Sequence, residues 1–159
     1  MKVINTFKDS NRIVIKIGSS LLTNAKGNVN KSVLKNVVND ITSLIKKKKE
    51  IILVSSGAIS LGKGKLKLNK ELTLNESQAI ASIGQISLMS SWQKEFNKHD
   101  IVVAQLLLSP SDAENKKSST NAIATIENLL NLKCMPIINE NDTTSTDEIK
   151  FGDNDILAA

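Results

Sequence analysis

The stretch IILVSSGAISL, residues 51–61, joins a run of branched apolar residues to two serines and a glycine, followed by residues that favour a helix. Four consecutive apolar side chains at 51–54 predict a strand that is buried on both faces. The serines and Gly57 end this strand, and Ala58 begins the predicted helix. A buried strand that passes directly into a helix is typical of a parallel α/β sheet.

The same alternation of strand and helix recurs along the rest of the chain. Further strands are predicted at residues 12–17, 101–108 and 135–138, and further helices at 31–45, 76–98, 117–131 and 156–159. A lysine-rich connector that contains Gly62 and Gly64 is predicted before the long helix, whose small residues indicate close packing against a neighbour. The pattern predicts one α/β domain, a three-layer αβα sandwich with a mainly parallel sheet. In such a sheet, ligands bind beyond the carboxyl ends of the strands.

The composition narrows the classes of function. Aromatic residues make up only 3% of the 159 residues, which argues against a stacking surface for single-stranded nucleic acid. The formal net charge is +5, but of the 21 basic residues only Arg12 is arginine, the usual residue for bidentate contacts to guanine or phosphate. No apolar run approaches the ~20 residues that span a bilayer. Cys134 is the single cysteine, which excludes an internal disulfide and favours a reducing compartment. We therefore expect a cytoplasmic protein without a nucleic-acid or membrane partner.

Two candidate loops follow predicted strands and can bind anions. Lys16 lies near the end of the first strand, where a buried cation needs an anionic partner, and the amides after Gly18 and Ser19 can cradle phosphate. The alternative is an edge-strand lysine that points into solvent. In the second loop, Ser56 and Gly57 precede a helix whose free amides can hold a carboxylate or a phosphoryl group. The alternative there is an N-cap serine followed by a turn glycine.

The third candidate loop follows the strand at 135–138 and contains the segments NEND (139–142) and GDND (152–155). Carboxylates can hold an ammonium group or Mg²⁺, and amides can hold a carboxylate. The alternative is an exposed polar turn with helix-capping Asp and Asn residues. His99 is the only histidine and is predicted at a surface turn, so a Ser-His-Asp hydrolase is not expected.

Five segments spread over nearly the whole chain carry a family resemblance. They are IVIKIGSSLLT (13–23), ILVSSGAISLG (52–62), ASIGQ (81–85), VAQLLL (103–108) and MPIINENDTTSTDEIKFGDND (135–155). Together they resemble the glutamate 5-kinases of the amino-acid kinase family, and they imply the fold of that family. Other members of the family usually carry a second glycine at the position of Ser19.

The resemblance implies ATP-dependent phosphorylation of the side-chain carboxylate of L-glutamate to glutamyl 5-phosphate, the first step of proline biosynthesis. It implies ATP and Mg²⁺ as cofactors, with no residue of this chain assigned as a metal ligand. Lys16 is expected to be the catalytic residue that contacts the phosphates, with Gly18 and Ser19 beside the nucleotide. Proline is the expected feedback inhibitor, and a homo-oligomer is the expected assembly.

The resemblance also assigns residues to the glutamate site. These are Ser56, Gly57, Ala58, Asp142, Asp153, Asn154 and Asp155. Asp142 suits the α-ammonium group, whereas Ser56 and Asn154 can donate hydrogen bonds to carboxylate oxygens. Gly57 and Ala58 are expected to supply backbone amides. Asp153 and Asp155, on either side of Asn154, are expected to order that loop.

Members of the family continue well beyond the position of Ala159. Residues 1–159 are therefore expected to be the N-terminal, acceptor-binding part of an amino-acid kinase domain, truncated before the ATP-binding half and any C-terminal RNA-binding-like domain. This chain by itself is expected to be inactive and of low stability.

Two alternatives remain open at this point. One is a kinase for another small acceptor, such as acetylglutamate, aspartate, carbamate or a nucleoside monophosphate, although the SSGAI and NEND segments favour glutamate. The other is a non-catalytic relic that binds glutamate or proline.

Overall fold

Four parallel strands form the sheet of the computed structural model, which describes residues 10–144 and 153–159. The strands are β1 Arg12–Ile17, β2 Glu50–Ser55, β3 Val103–Leu108 and β4 Met135–Glu140, in the spatial order β1-β2-β4-β3. The helices are α1 Ser19–Leu22, α2 Lys31–Lys46, α3 Ala58–Leu66, α4 Leu74–Phe96, α5 Pro110–Glu114, α6 Lys116–Asn131 and α7 Asp153–Ala158, with a 3₁₀ turn at Asn97–His99. Among the described helices, none is long and apolar enough to cross a membrane.

Helices cover both faces of the sheet because side chains alternate along each buried strand. Ile51 and Leu53 of β2 join one core, which includes residues of α2 and α4. The alternate residues Ile52 and Val54 join a second core on the opposite face, with residues of α6 and α7. The predicted α/β sandwich with a parallel sheet is therefore confirmed.

The connector predicted after β2 is wrong in part, because α3 continues through Gly62 and Gly64 to Leu66. Glycine is a poor helix former, but here its lack of a side chain permits contacts between backbones. A Cβ atom on Gly62 would lie 2.1 Å from the carbonyl oxygen of Ile80, and one on Gly64 would lie 2.2 Å from that of Gly27. These glycines serve packing and not chain flexibility.

Gly84 of α4 approaches α3 even more closely, since a Cβ atom there would lie 1.7 Å from the carbonyl oxygen of Ala58. The close packing predicted from small residues is thus confirmed. Gly84→Ala is expected to lower the free energy of unfolding by about 1–3 kcal/mol, because the two helices must separate. In an isolated helix alanine is more favourable than glycine by about 1 kcal/mol, but we expect the clash with α3 to outweigh this gain.

Chemical denaturation of the complete gene product measures this change. Ser90→Ala, at an exposed position of the same helix, is the matched control and is expected to change the free energy of unfolding by less than about 0.5 kcal/mol. If Gly84→Ala and Ser90→Ala had the same free energy of unfolding, the inference that α3 and α4 are in close contact at Gly84 would be wrong.

The strand β4 is longer than predicted. Asn139 and Glu140 still pair with β3, and their side chains are only 2% and 5% exposed. The first half of the NEND segment therefore belongs to the sheet, which holds these two polar side chains rigidly at its carboxyl edge.

The short helix α5 also has no counterpart among the predicted helices. Ser109 and Asp112 cap its first turn, because the side chain of each accepts a hydrogen bond from the backbone amide of the other.

Candidate active site

The carboxyl ends of β1, β2 and β4 open on one cavity of about 1020 Å³. Its walls come from the segments that follow these strands, from α3 and from residues 67–72. Lys16 of β1 and Asn139 of β4 line it together with Ser56, which follows β2. The cavity thus lies at the edge where parallel α/β sheets bind their ligands.

The turn after β2 is fixed by the core below it and by the strand beside it. Ser55 is fully buried and accepts a hydrogen bond of 2.8 Å from the indole nitrogen of Trp92. The backbone amide of Ser56 donates to the carbonyl oxygen of Ile17 at 3.0 Å. Gly57 has φ +117°, a conformation that residues with a side chain rarely adopt, and α3 begins directly after it. The turn therefore holds Ser56 against the cavity in a defined geometry.

The first loop contributes a cation and a hydroxyl group. The ammonium group of Lys16 forms an ion pair with Asp155, and these side chains are 33% and 61% exposed. Ser19 lines the cavity, whereas Gly18 is not among the lining residues of the described chain. Gly18 has an extended backbone, and a Cβ atom on it would meet no described atom within 4 Å. Lys16 is thus an accessible cation that already has one carboxylate partner.

A chain of hydrogen bonds links the segment after β4 to the turn after β2. Asn154 Nδ2 donates to Ser56 Oγ at 2.9 Å and to Asn139 Oδ1 at 3.0 Å. Asn139 Nδ2 donates in turn to Oε1 of Gln85, on α4, at 2.8 Å. These four residues, Gln85, Asn139, Asn154 and Ser56, are called the amide relay below. The relay joins residues from four separate parts of the chain beside one cavity.

The relay alters the role that the sequence suggests for Asn154. A side-chain amide nitrogen carries two hydrogens, and both hydrogens of Asn154 are directed at protein oxygens. In this arrangement Asn154 has none left to donate to a ligand carboxylate. Ser56 accepts from Asn154, and within the described residues its own hydroxyl hydrogen is not committed to another protein group. Of the two predicted donors, Ser56 is therefore the available one.

Most residues predicted for the site meet in this cavity. The lining includes Lys16, Ser19, Ser56, Gly57, Ala58, Asp142 and Asn154. Asp155 joins them through its ion pair with Lys16. Asp153 begins α7, but its side chain lies outside the described part of the chain, as do residues 145–152.

The sequence pattern assigns no individual role to Gln85, Asn139 or Glu140. The last two stand in the NEND segment, where the density of polar residues after a strand is a usable signal. Gln85 gives no such signal, because it is one polar residue on a long helix, 54 positions from Asn139. Only the packing of α4 beside β4 makes the two residues neighbours.

The chain is similar to a known protein family and to individual members of it. Residues 11–159 match the sequence profile of the Amino acid kinase family. The chain is 51% identical over 150 residues to a protein of Gluconobacter oxydans named glutamate 5-kinase, covering 93% of this chain and 40% of that protein. Proteins of the same name from Pelagibacter ubique and Nitrosospira multiformis are 50% and 46% identical over 153 and 156 residues, covering 96% and 98% of this chain and 42% of each relative. The chain thus spans about two fifths of the length of these relatives.

Proposed function

The chain belongs to the amino acid kinase family, and from this membership we propose that it forms the N-terminal, acceptor-binding part of a glutamate 5-kinase. The proposed reaction transfers the γ-phosphoryl group of ATP to the side-chain carboxylate of L-glutamate, as the first step of proline biosynthesis. Its products are glutamyl 5-phosphate and ADP. The similarity to proteins named glutamate 5-kinase supports glutamate as the acceptor.

One observation carries the proposal: the side chains of α7 reach both of the other loops. Asn154 donates to Ser56, which is 98 positions away in the sequence, and Asp155 pairs with Lys16. An accessible cation, a hydroxyl donor and the NEND segment therefore face one cavity. Such convergence suits phosphoryl transfer to a carboxylate, because two anions must be held together.

Lys16 is the proposed catalytic residue. Its ammonium group can offset the negative charge that spreads over the transferring phosphoryl group, with Gly18 and Ser19 proposed beside the phosphates. A carboxylate oxygen of glutamate forms a bond to the γ-phosphorus while the bond from that phosphorus to the bridging oxygen of ADP breaks. A carboxylate is ionised at neutral pH and needs no general base. The described lining, which contains no histidine, is consistent with this reaction.

Mg²⁺ is proposed to enter with the nucleotide. Within residues 10–144 and 153–159, no group of three or more His, Cys, Asp or Glu side chains is placed to hold a metal ion. Mg²⁺ commonly keeps several waters and binds through substrate phosphates with one or two carboxylates. The side chains of this cavity therefore fit an ion carried by ATP better than one held by the protein alone.

Asp142, which lines the cavity, is proposed to bind the α-ammonium group of glutamate. Asp142→Ala is expected to raise the KM for glutamate by about ten- to a hundredfold, the effect of losing a hydrogen bond between charged groups, with little change in kcat. Initial rates at saturating ATP and varied glutamate measure this split. Asp40→Ala, on an exposed position of α2, is the matched control and should leave KM unchanged. An unchanged KM in the Asp142 variant would remove this residue from the ammonium site.

A panel of acceptors tests the proposed substrate. The complete gene product is incubated with ATP and with glutamate, acetylglutamate, aspartate, carbamate or a nucleoside monophosphate, and ADP release is followed. We expect the highest kcat/KM with glutamate. A preference for acetylglutamate would indicate another kinase of the same family, and binding of glutamate or proline without ADP release would indicate a non-catalytic binder.

Three further properties are proposed on the family resemblance. Proline is proposed to inhibit by competing for the glutamate pocket, the protein is proposed to form a homo-oligomer, and the cytoplasm is its proposed location. The exposed apolar side chains of Ile83 and Ile86 on α4 are consistent with an assembly, since they are 39% and 75% exposed.

A further inference from the structure

A buried hydrogen bond joins α4 to the end of β2, one residue before Ser56. The indole nitrogen of Trp92 donates to Ser55 Oγ at 2.8 Å, and neither residue has exposed surface. An indole nitrogen can only donate, so the direction of this bond is fixed by the chemistry of the two groups. Ser55 is therefore the acceptor that satisfies the buried donor of Trp92, which would be costly to leave unpaired.

The position of Ser55 in β2 is one of a set that apolar residues fill in the rest of the strand. Side chains alternate along a strand, so Ser55 shares a face with Ile51 and Leu53, which belong to the core that includes residues of α4. A larger apolar side chain in this place would bury more apolar surface than serine does. The serine thus gives up packing at a fully buried position and supplies a hydrogen-bond acceptor instead.

The turn after β2 is held against α4 on both sides. Before the turn, Trp92 contacts the last residue of the strand. After it, the carbonyl oxygen of Ala58 lies so close to α4 that a Cβ atom on Gly84 would come within 1.7 Å of it. Gly84 and Trp92 are separated by about two helical turns, so they lie on the same side of α4. One helix therefore contacts the chain immediately before and immediately after Ser56 and Gly57.

We propose that Ser55 is a positioning residue of the acceptor site. By accepting from Trp92 it fixes the end of β2, so that the hydroxyl group of Ser56 stays directed at the carboxylate of the acceptor. Ser55 is not among the described residues that line the large cavity, so it is assigned no contact with the substrate. The identity of the acceptor rests on the function proposed above, whereas the anchoring of the turn does not.

Two substitutions remove this hydrogen bond from opposite sides. Ser55→Ala removes the acceptor, and Trp92→Phe removes the donor. We expect Ser55→Ala to raise the KM for glutamate about three- to tenfold, a change that corresponds to the net contribution of one hydrogen bond, with little change in kcat. In the Trp92→Phe background, where the bond is already absent, Ser55→Ala should cause no further rise. A purely structural role would lower the amount of folded enzyme, and with it the apparent kcat, but would leave KM unchanged.

Thr42→Val provides the matched control. Thr42 is a buried residue of α2, only 6% exposed, and it does not line the cavity. Its substitution removes a hydroxyl group from the core, as Ser55→Ala does, and should leave the KM for glutamate unchanged. The proposal would be overturned if Ser55→Ala and Thr42→Val had the same KM, or if Ser55→Ala raised KM by the same factor with and without the indole of Trp92.

A second measurement needs no substrate. The backbone amide of Ser56 donates to the carbonyl oxygen of Ile17 at 3.0 Å, and its exchange with solvent is followed by NMR in the complete gene product. We expect Ser55→Ala to accelerate this exchange at least about tenfold more than that of Leu53, in the middle of β2, because only the end of the strand loosens. Equal acceleration at both amides would indicate a general loss of stability and would overturn the proposal. A parent protein that does not phosphorylate glutamate would refute the proposed function instead, and the exchange rates would then decide the role of Ser55 alone.

Discussion

Lys16→Ala is expected to lower kcat by about a hundredfold to a thousandfold, the range found when a preorganised group that stabilises transition-state charge is removed. Lys16 is the cation that β1 places at the carboxyl edge of the sheet, where it lines the large cavity and pairs with Asp155. In the proposed reaction, the negative charges of the acceptor and the triphosphate approach each other at this point. Release of ADP at saturating glutamate and ATP measures kcat in the complete gene product.

Lys35→Ala is the matched control, because Lys35 is an exposed lysine on α2 and does not line the cavity. It removes the same charge from the protein and should leave kcat unchanged. Equal kcat values for the two variants would show that Lys16 does not offset charge during transfer. A raised KM for glutamate with a normal kcat would instead make Lys16 a binding residue.

Trp92→Ala is expected to lower the free energy of unfolding by about 3–5 kcal/mol, the usual cost of removing a buried aromatic side chain. Trp92 has no exposed surface, and its ring centroid lies 6.0 Å from that of Phe96. Its indole nitrogen also donates to Ser55, the last residue of β2, just before the turn that carries Ser56. The same side chain therefore supports both the core and the candidate site.

Chemical denaturation of the complete gene product gives the loss of stability. Gln93→Ala, at the next position of α4 and exposed, is the control and should change the free energy of unfolding by less than about 0.5 kcal/mol. Trp92→Phe keeps an aromatic ring but removes the donor to Ser55 and part of the buried volume of the indole, so its loss should lie between those of the other two variants. A loss of less than about 1 kcal/mol for Trp92→Ala would contradict the central position of this residue in the core.

Runs of branched apolar residues predict the positions of the strands well. The observed β1, Arg12–Ile17, has the predicted bounds, because four isoleucine and valine residues mark it and Gly18 follows it directly. The end of β4 is different, since Asn139 and Glu140 continue the ladder although their side chains are polar. Hydrophobicity cannot mark such residues as part of a strand, because their burial depends on partners that lie elsewhere in the chain.

The glycines of α3 show a similar limit. Local rules treat Gly62 and Gly64 as signs of a connector, since glycine weakens a helix. Their presence is explained by Ile80 and Gly27, whose backbones come within reach only after the chain has folded. A local pattern contains no information about that contact, so the end of α3 could not be predicted from it.

For the candidate site, the sequence identifies the loops better than the detailed role of each side chain. Lys16, Ser56 and Asn154 can be chosen because each stands near the end of a predicted strand or in the polar or glycine-containing segment that follows one, and the structure brings them to one cavity. The donor role expected of Asn154 differs from the arrangement observed, because Asn139 and Ser56 take up both of its amide hydrogens. Gln85 accepts a hydrogen bond from Asn139 in that arrangement, and the ASIGQ segment that contains it carries the family resemblance without assigning Gln85 a role.

A crystal structure of the complete gene product with bound L-glutamate tests the central claim most directly. The account predicts glutamate in the cavity at the carboxyl ends of β1, β2 and β4, with its α-ammonium group at Asp142 and a carboxylate oxygen accepting from the hydroxyl group of Ser56. Its side-chain carboxylate should face Lys16. Glutamate bound elsewhere, or bound in this cavity without contact to Ser56 and Asp142, would contradict the account.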